Sequence, residues 1–90
     1  MLKNLNKRNK YAAPALEKGL DILELLSKSK NGLTQAEIAN KLNRSVNEIY
    51  RMLNILSKRN YIEIDDKTDI YNLTYKLLEI SFHHQPIKNL

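Results

Sequence analysis

The chain of 90 residues is long enough for one small domain, and its 42% of apolar residues provides a modest hydrophobic core. The formal net charge of +5 suits an anionic partner, whether nucleic acid, an acidic protein or a membrane surface. The absence of cysteine excludes disulfides and thiolate metal sites, and no apolar run approaches the length that spans a bilayer.

Residues 1–13 are predicted to form a flexible basic arm. This segment carries four basic residues and no acidic one: Lys3, Lys7, Arg8 and Lys10. Such an arm could follow a DNA groove, as homeodomain arms do, or it could serve only to keep the chain soluble. A membrane surface would favour one basic amphipathic helix, whereas the bases here lie on the arm and around two short helices. We therefore expect no membrane partner.

The first predicted helix begins at Pro14, because proline is tolerated at the first position of a helix. Leucine recurs in this segment every three to four residues, which predicts a buried stripe. The stripe consists of Leu16, Leu20, Leu23 and Leu26, together with Ile22. Gly19 lies inside this run, where a glycine can let a neighbouring element approach closely. The sequence Lys-Asn-Gly at 30–32 then predicts a turn.

Two capping boxes follow, in each of which a hydroxyl residue stands three positions before a glutamate. Thr34 is paired with Glu37, and Ser45 is paired with Glu48. In such a box the hydroxyl accepts from a free backbone N–H, and the glutamate accepts from the cap residue. The helix between the two boxes must therefore be short, and we predict it at about residues 35–42.

A sharp turn at Asn43 is predicted to separate this helix from the next one, at about residues 46–59. Asparagine suits such a turn because it adopts the left-handed backbone conformation more readily than most residues. The apolar residues of the two helices fall on one face of each, so these faces are predicted to be buried. They are Ile38, Ala39 and Leu42 in the first helix, and Ile49, Met52, Leu53 and Leu56 in the second.

The C-terminal part of the sequence predicts a hairpin and a last short helix. Apolar and polar residues alternate at 61–64 and 70–73, with a polar turn between the two runs. Thr74 is in position to cap the helix that follows. The order helix, helix, helix, hairpin, helix describes a winged helix-turn-helix over residues 14–80. This fold is mainly α with a small β-hairpin: a three-helix core, a two-stranded wing and a short C-terminal helix.

The outer face of the second paired helix carries the candidate contacts to DNA bases. In helix-turn-helix proteins this helix enters the major groove with its N-terminal residues at the base edges. Arginine can form two hydrogen bonds with guanine, and asparagine can do so with adenine. The candidate base or groove contacts are Ser45, Val46, Asn47, Tyr50, Arg51 and Asn54. A polar helix face can also be merely solvated, but the caps, the turn, the hairpin and the basic charge together favour DNA.

Candidate phosphate contacts are the residues at helix N-termini and the bases around the helix pair. They are Thr34, Gln35, Arg44, Lys58, Arg59 and Lys67. Lys67 is the one base of the hairpin turn, and it stands beside Asp65, Asp66 and Asp69. Because carboxylates repel phosphate, the sequence leaves open whether this wing touches DNA.

A protein-binding winged helix and an enzyme are the alternatives to a DNA-binding domain. Glu48 and the acidic wing slightly favour protein contact, because both would repel phosphate. Two glycines in the whole chain make a glycine-rich phosphate loop implausible, and nothing brings His83 and His84 near a hydroxyl nucleophile. The histidine pair lacks a third ligand, and the wing acids match no calcium-loop spacing. We therefore predict no catalytic residue, no cofactor and no metal site.

Four stretches of the sequence resemble, in order, the N-terminal domain of IclR-type bacterial transcriptional regulators. They are PALEKGLDILELL, GLTQAEIANKL, IYRMLNILSKRNYIE and YNLTYKLLEI, and the likeness covers about residues 14–80. Tyr50 and Arg51 match the His-Arg or Tyr-Arg pair of the family's recognition helix. Asn43 stands where the family usually has glycine, and Glu48 where it often has threonine. The wing also lacks its customary glycine.

This resemblance implies partners as well as a fold. Family members bind operator DNA as dimers or dimers of dimers, and their first helix usually contributes to the pairing. By resemblance, the dimer contacts fall on Leu16, Leu20 and Leu23. The family's C-terminal domain binds a small-molecule effector, and residues 81–90 resemble the start of the linker towards it. We therefore expect a cytoplasmic homodimer, with any effector acting only through the absent domain. A fragment cut at the linker is favoured over a natural stand-alone protein.

Overall fold

The computed structural model describes residues 12–84, so most of the predicted arm and the end of the predicted linker lie outside it. Within these residues, four helices and three short strands follow one another. They are α1 (Pro14–Ser27), β1 (Leu33–Thr34), α2 (Gln35–Lys41), α3 (Val46–Lys58), β2 (Ile62–Asp65), β3 (Ile70–Leu73) and α4 (Lys76–His83). The predicted winged helix-turn-helix is confirmed, with α2 and α3 as the helix pair.

The wing has three strands, where the sequence predicted two. The strands lie in the order β1-β3-β2, and both pairings are antiparallel. β1 is a pair of residues, Leu33 opposite Tyr71 and Thr34 opposite Ile70. Two residues are too few to show the alternation that identifies a strand, so β1 was not predicted. Through this pairing the chain between α1 and α2 is attached to the wing.

The hydrophobic core lies where the first three helices meet the inner face of the sheet. Its buried residues are Ile22, Leu26, Leu33, Ile38, Ala39, Ile49, Leu53, Ile62 and Tyr71. The predicted inner faces of α2 and α3 are confirmed, because Ile38, Ile49 and Leu53 are among the most completely buried side chains. Leu42, Met52 and Leu56 are half-buried and pack against the same cluster.

The predicted stripe of α1 is wrong at its N-terminal end. Leu16 and Leu20 are 63% and 46% exposed, whereas Ile22 and Leu26 are buried. A helix turns by about 100° per residue, so the two pairs lie roughly a third of a turn apart. The spacing predicted an apolar helix correctly, but it could not tell which of two neighbouring apolar faces packs on the core.

The turn between α2 and α3 has the predicted geometry. Asn43 adopts a left-handed conformation with φ of 55°. Both capping boxes are formed: the Glu37 N–H donates to the Thr34 hydroxyl over 3.2 Å, and the Glu48 N–H donates to the Ser45 hydroxyl over the same distance. Each cap satisfies a free backbone donor at a helix start. The capping boxes therefore set the first residues of α2 and α3.

The last helix, α4, contains no buried residue. Its first turn is attached through Thr74, whose hydroxyl accepts from the Lys76 N–H over 3.1 Å and donates to the Asn60 carbonyl. The hydroxyl therefore satisfies a donor at the helix start, as predicted, although Tyr75 is the residue that directly precedes the helix.

Candidate nucleic-acid interface

The outer face of α3 is exposed along its whole length. All six candidate base contacts, Ser45, Val46, Asn47, Tyr50, Arg51 and Asn54, have exposed side chains. Asn47, Arg51 and Asn54 lie on the side of α3 away from the buried Ile49 and Leu53, and Ser45 and Val46 lie at its N-terminal end. The structure therefore presents two amides, one guanidinium and one phenol on one surface, which are groups able to form hydrogen bonds with base edges.

The candidate phosphate contacts fall into separate groups. Thr34, Gln35 and Arg44 lie around the N-terminal ends of α2 and α3, where the Gln35 amide donates to the Val46 carbonyl over 3.2 Å. Lys58 and Arg59 are exposed at the other end of α3, about 20 Å away along a 13-residue helix. Basic residues thus stand at both ends of the polar face.

Aspartates surround Lys67, the one basic residue in the wing loop between β2 and β3. The Asp65 carboxylate accepts from the Lys67 backbone N–H over 2.8 Å, and Asp69 adopts a left-handed conformation with φ of 59°. The side chain of Lys67 is exposed. Asp69 lines the same surface concavity as Thr34 and Gln35, so a carboxylate stands next to two candidate phosphate contacts.

Glu48 is held by several protein donors in the first turn of α3. One carboxylate oxygen, Oε1, lies 3.3 Å from the Ser45 N–H donor and 3.2 Å from the Ser45 hydroxyl. The other, Oε2, lies 2.8 Å from the Lys18 ammonium and 3.9 Å from the Arg44 guanidinium. The Lys18 hydrogen bond, followed by those from Ser45, lowers the pKa of Glu48 from 4.5 to about 2. Glu48 is therefore ionised near neutral pH, with a protein donor at each carboxylate oxygen.

Lys18 was not singled out by the sequence. It lies on α1, thirty residues before its partner Glu48, and its side chain is 19% exposed. A contact between residues so far apart leaves no pattern in the sequence, because helical and strand periodicities report only near neighbours. Lys18 therefore forms an ion pair that joins α1 to the first turn of α3.

An apolar groove runs between α1 and α3. The proposed dimer contacts Leu16, Leu20 and Leu23 line it together with Ala15, Gly19, Met52, Ile55 and Leu56. Ile55 is 54% exposed in this groove. Gly19 was expected to admit a close neighbour, but apart from its chain neighbours and the backbone of its own helix, no described atom lies within 4 Å of where its Cβ would be. No other described part of the chain covers the groove. Two of its leucines, Leu16 and Leu20, are the ones that do not pack into the core.

Other kinds of site find no support in residues 12–84. No group of three or more histidine, cysteine, aspartate or glutamate residues in this part of the chain is able to hold a metal ion. No helix of the described segment is both long and apolar enough to cross a bilayer.

Comparison with known proteins agrees with the fold. A family model described as the IclR helix-turn-helix domain matches residues 15–66. The chain is similar to the crystal structure of an IclR transcriptional regulator from Alicyclobacillus acidocaldarius, with 25% identity and a TM-score of 0.74 over 79% of this chain. It is also similar in fold to an IclR family regulator from Brucella abortus, with 24% identity and a TM-score of 0.74 over 82% of this chain. Comparison with curated proteins gave no match.

The likeness covers only part of each crystal structure. The chain spans 29% of the length of the first regulator and 28% of the second. Helix-turn-helix domains of regulators are not enzymes, which confirms the prediction made from the missing catalytic parts. Because the family model covers more than half of the chain, the protein belongs to the IclR family, of which it contains the helix-turn-helix domain.

Proposed function

We propose that this chain binds double-stranded operator DNA in a sequence-specific manner, as the DNA-binding domain of a bacterial transcriptional regulator. The observation that carries the proposal is the exposed polar face of α3, directly after a tight turn and two formed capping boxes. In this arrangement α2 supports α3 from behind, and α3 enters the major groove. The net charge of +5 adds attraction to phosphate that does not depend on sequence.

The base contacts would come from the N-terminal two-thirds of α3. Arg51 can donate two hydrogen bonds to guanine, and Asn47 and Asn54 each can bind adenine through their amides. Ser45, Val46 and Tyr50 complete the exposed surface, with a hydroxyl, a branched apolar side chain and a phenol. An apolar group at the groove floor suits the methyl group of thymine.

The phosphate contacts would position α3 rather than select a sequence. Arg44 at one end and Lys58 and Arg59 at the other can meet phosphates on either side of the groove. At the start of α2, Thr34 offers its hydroxyl, and Gln35 offers the amide hydrogen that it does not donate to Val46. Lys67 is the weakest of these contacts, because the aspartates of the wing loop oppose it.

The apolar groove between α1 and α3 supports a homodimer as the acting form. Leu16 and Leu20 expose apolar surface beside Ile55, and Leu23 continues the same groove. A second copy that covers this surface would pair two α3 helices for two half-sites about one helical turn apart. An effector would act through a further domain, as the share of the two regulators left unmatched suggests.

A protein-binding module is the second candidate function, and the same groove together with the acidic wing loop favours it. DNA binding and protein binding can be distinguished because only DNA binding depends on the basic residues around α3. Replacing Arg44, Arg51, Lys58 and Arg59 together with alanine should abolish DNA binding, whereas an apolar protein interface in the groove would survive. Fluorescence anisotropy on a random duplex of about 30 base pairs, at 50 and 200 mM salt, measures the first property.

Replacing Arg51 with alanine should weaken binding to the operator by about 1–3 kcal/mol, because a guanidinium bound to guanine is lost. The operator would first be selected from random duplexes, and anisotropy would then compare it with a scrambled duplex. The matched control is Lys28→Ala, which removes a charge from an exposed residue outside the α3 face.

The two duplexes separate base reading from phosphate contact. If Arg51 reads a base, the loss on the operator exceeds the loss on the scrambled duplex. An equal loss on both would assign Arg51 to phosphate, and unchanged binding on both would remove α3 as the recognition helix.

Replacing Leu20 with glutamate should disrupt the dimer while leaving the domain folded. Leu20 is 46% exposed, so a charge there is tolerated in the monomer but not beneath a second copy. Affinity for a duplex with two half-sites should fall by about a hundredfold. Each monomer must then bind its half-site separately, whereas the second subunit of a dimer is already held close to its half-site. Sedimentation velocity measures the dimer, and Leu78→Glu on α4, also at an exposed leucine, is the control. A dimer that persists in Leu20→Glu would move the pairing surface elsewhere.

A further inference from the structure

A carboxylate in the first turn of the recognition helix is an obstacle to DNA binding unless something holds it. Glu48 follows Asn47 in the chain and lines the same surface concavity as the exposed Arg51, beside the face proposed to meet base edges. A free carboxylate at this place would repel the phosphates and would accept a hydrogen bond from cytosine. It would also attract Arg44, which lies 3.9 Å from it and one helical turn before it.

The contacts of Glu48 show what prevents this. Ser45 supplies two donors to one carboxylate oxygen through its backbone N–H and its hydroxyl. The Lys18 ammonium lies 2.8 Å from the other oxygen, which is the shortest ionic contact among residues 12–84. Arg44 is more than 1 Å farther away, so Lys18 is the principal cationic partner. The Lys18 side chain is 19% exposed, against 41% for Arg44, so its charge is directed to Glu48 rather than to solvent.

We propose that Lys18 of α1 is a positioning residue for DNA recognition, which keeps the Glu48 carboxylate engaged within the protein and leaves Arg44 available to phosphate. The inference rests on the proposed DNA-binding function and extends it to a residue outside the helix pair. Without Lys18, the second oxygen of Glu48 loses its cationic partner, and Arg44 moves onto it as its nearest remaining base. Two changes at the start of α3 then weaken DNA binding. The Glu48 carboxylate is less well neutralised, and Arg44 is no longer available to contact phosphate.

A double-mutant cycle tests this directly. The four chains are the parent, Lys18→Met, Glu48→Gln and the double variant. Lys28→Met, directly after the end of α1, is the matched control for the loss of one positive charge. Methionine keeps most of the length of the lysine stem, so packing beside α3 changes little. Anisotropy on the random 30-base-pair duplex measures affinity at 50 mM salt, and thermal melting verifies that each chain is folded.

The proposal expects Lys18→Met to weaken binding about three- to fivefold more than Lys28→Met does, the size of one charge interaction near a protein surface. It also expects Lys18→Met to weaken binding of the Glu48→Gln chain by no more than Lys28→Met weakens that of the parent, because the specific role of Lys18 depends on the charge of Glu48. An affinity of Lys18→Met equal to that of Lys28→Met would overturn it. So would a double variant as weak as Lys18→Met, since the effect would then not pass through Glu48.

A second measurement uses no DNA. It tests the Lys18–Glu48 interaction independently of whether the chain binds DNA. Carbon NMR of the Glu48 carboxyl group should show a pKa near 2 in the parent chain and a value closer to 4.5 in folded Lys18→Met. An unchanged pKa would overturn the inference even if the chain binds DNA well. A parent chain that binds no duplex at 50 mM salt would overturn the DNA-binding function together with this role of Lys18, whatever the pKa shows.

Discussion

Replacing Leu53 with alanine should lower the free energy of unfolding by about 2–5 kcal/mol, the range for a buried leucine that leaves a cavity. Leu53 is 1% exposed and lies at the centre of the inner face of α3. Its neighbours in the core cluster come from α1, α2 and the sheet, so no single element can move to fill the space. Urea denaturation followed by circular dichroism measures the loss.

Ile55→Ala is the matched control, because it shortens another branched apolar side chain two residues further along the same helix. Ile55 is 54% exposed, so its truncation should change the free energy of unfolding by no more than about 0.5 kcal/mol. Denaturation at low protein concentration keeps any pairing through the groove from adding to this value. The contrast between the two variants therefore reports the rotation of α3 about its own axis.

This rotation decides the proposed function as well as the stability. If Leu53 faces the core, then Asn47, Arg51 and Asn54 must face outward, since the helix fixes their relative angles. An unchanged denaturation midpoint for Leu53→Ala would mean that α3 is rotated and that another set of residues meets the DNA. The stability experiment is thus an independent check on the recognition face.

The parts of this fold that the sequence predicted are those specified by neighbouring residues. Thr34 with Glu37 and Ser45 with Glu48 fixed the starts of α2 and α3, because each box lies within one helical turn. Asn43 marked the turn for the same reason: its left-handed conformation is a local preference. The exposed face of α3 then followed from periodicity alone.

The parts that the sequence did not predict depend on contacts between distant residues. The exposure of Leu16 and Leu20 is set by which side of α1 meets α3, which helical spacing does not encode. The ion pair of Lys18 and Glu48 joins residues thirty positions apart. For the candidate site, the α3 face was therefore predicted, whereas the α1 residue that holds one of its charges was not.

The strand β1 was missed for a related reason, and it leads to the second large effect. Gly32 precedes β1 with φ of 76°, a left-handed conformation that other residues adopt with strain. A Cβ at this position would lie 2.5 Å from the Tyr71 carbonyl oxygen and 2.5 Å from the Ile70 side chain, both on β3. The Tyr71 oxygen belongs to the backbone, so a rotamer change cannot relieve the overlap.

Gly32→Ala should therefore lower the free energy of unfolding by about 2–4 kcal/mol, through left-handed strain and overpacking together. Gly19→Ala is the matched control, because the substitution is the same but the site is a helix interior with open space around it. There alanine should raise the free energy of unfolding by up to about 1 kcal/mol. Denaturant titration of both variants gives the two signs in one experiment.

Opposite changes in the free energy of unfolding for the two variants would show that the pairing of β1 with β3 contributes to stability. Thr34, the second residue of β1, is also the cap of α2, so the strand and the helix pair share a residue. Displacing β1 would therefore move the start of α2, and with it the Gln35 contact to the first residue of α3. Equal and small effects in the two variants would instead mean that the wing is loosely attached, and that α3 is positioned by the core and the Lys18 ion pair alone.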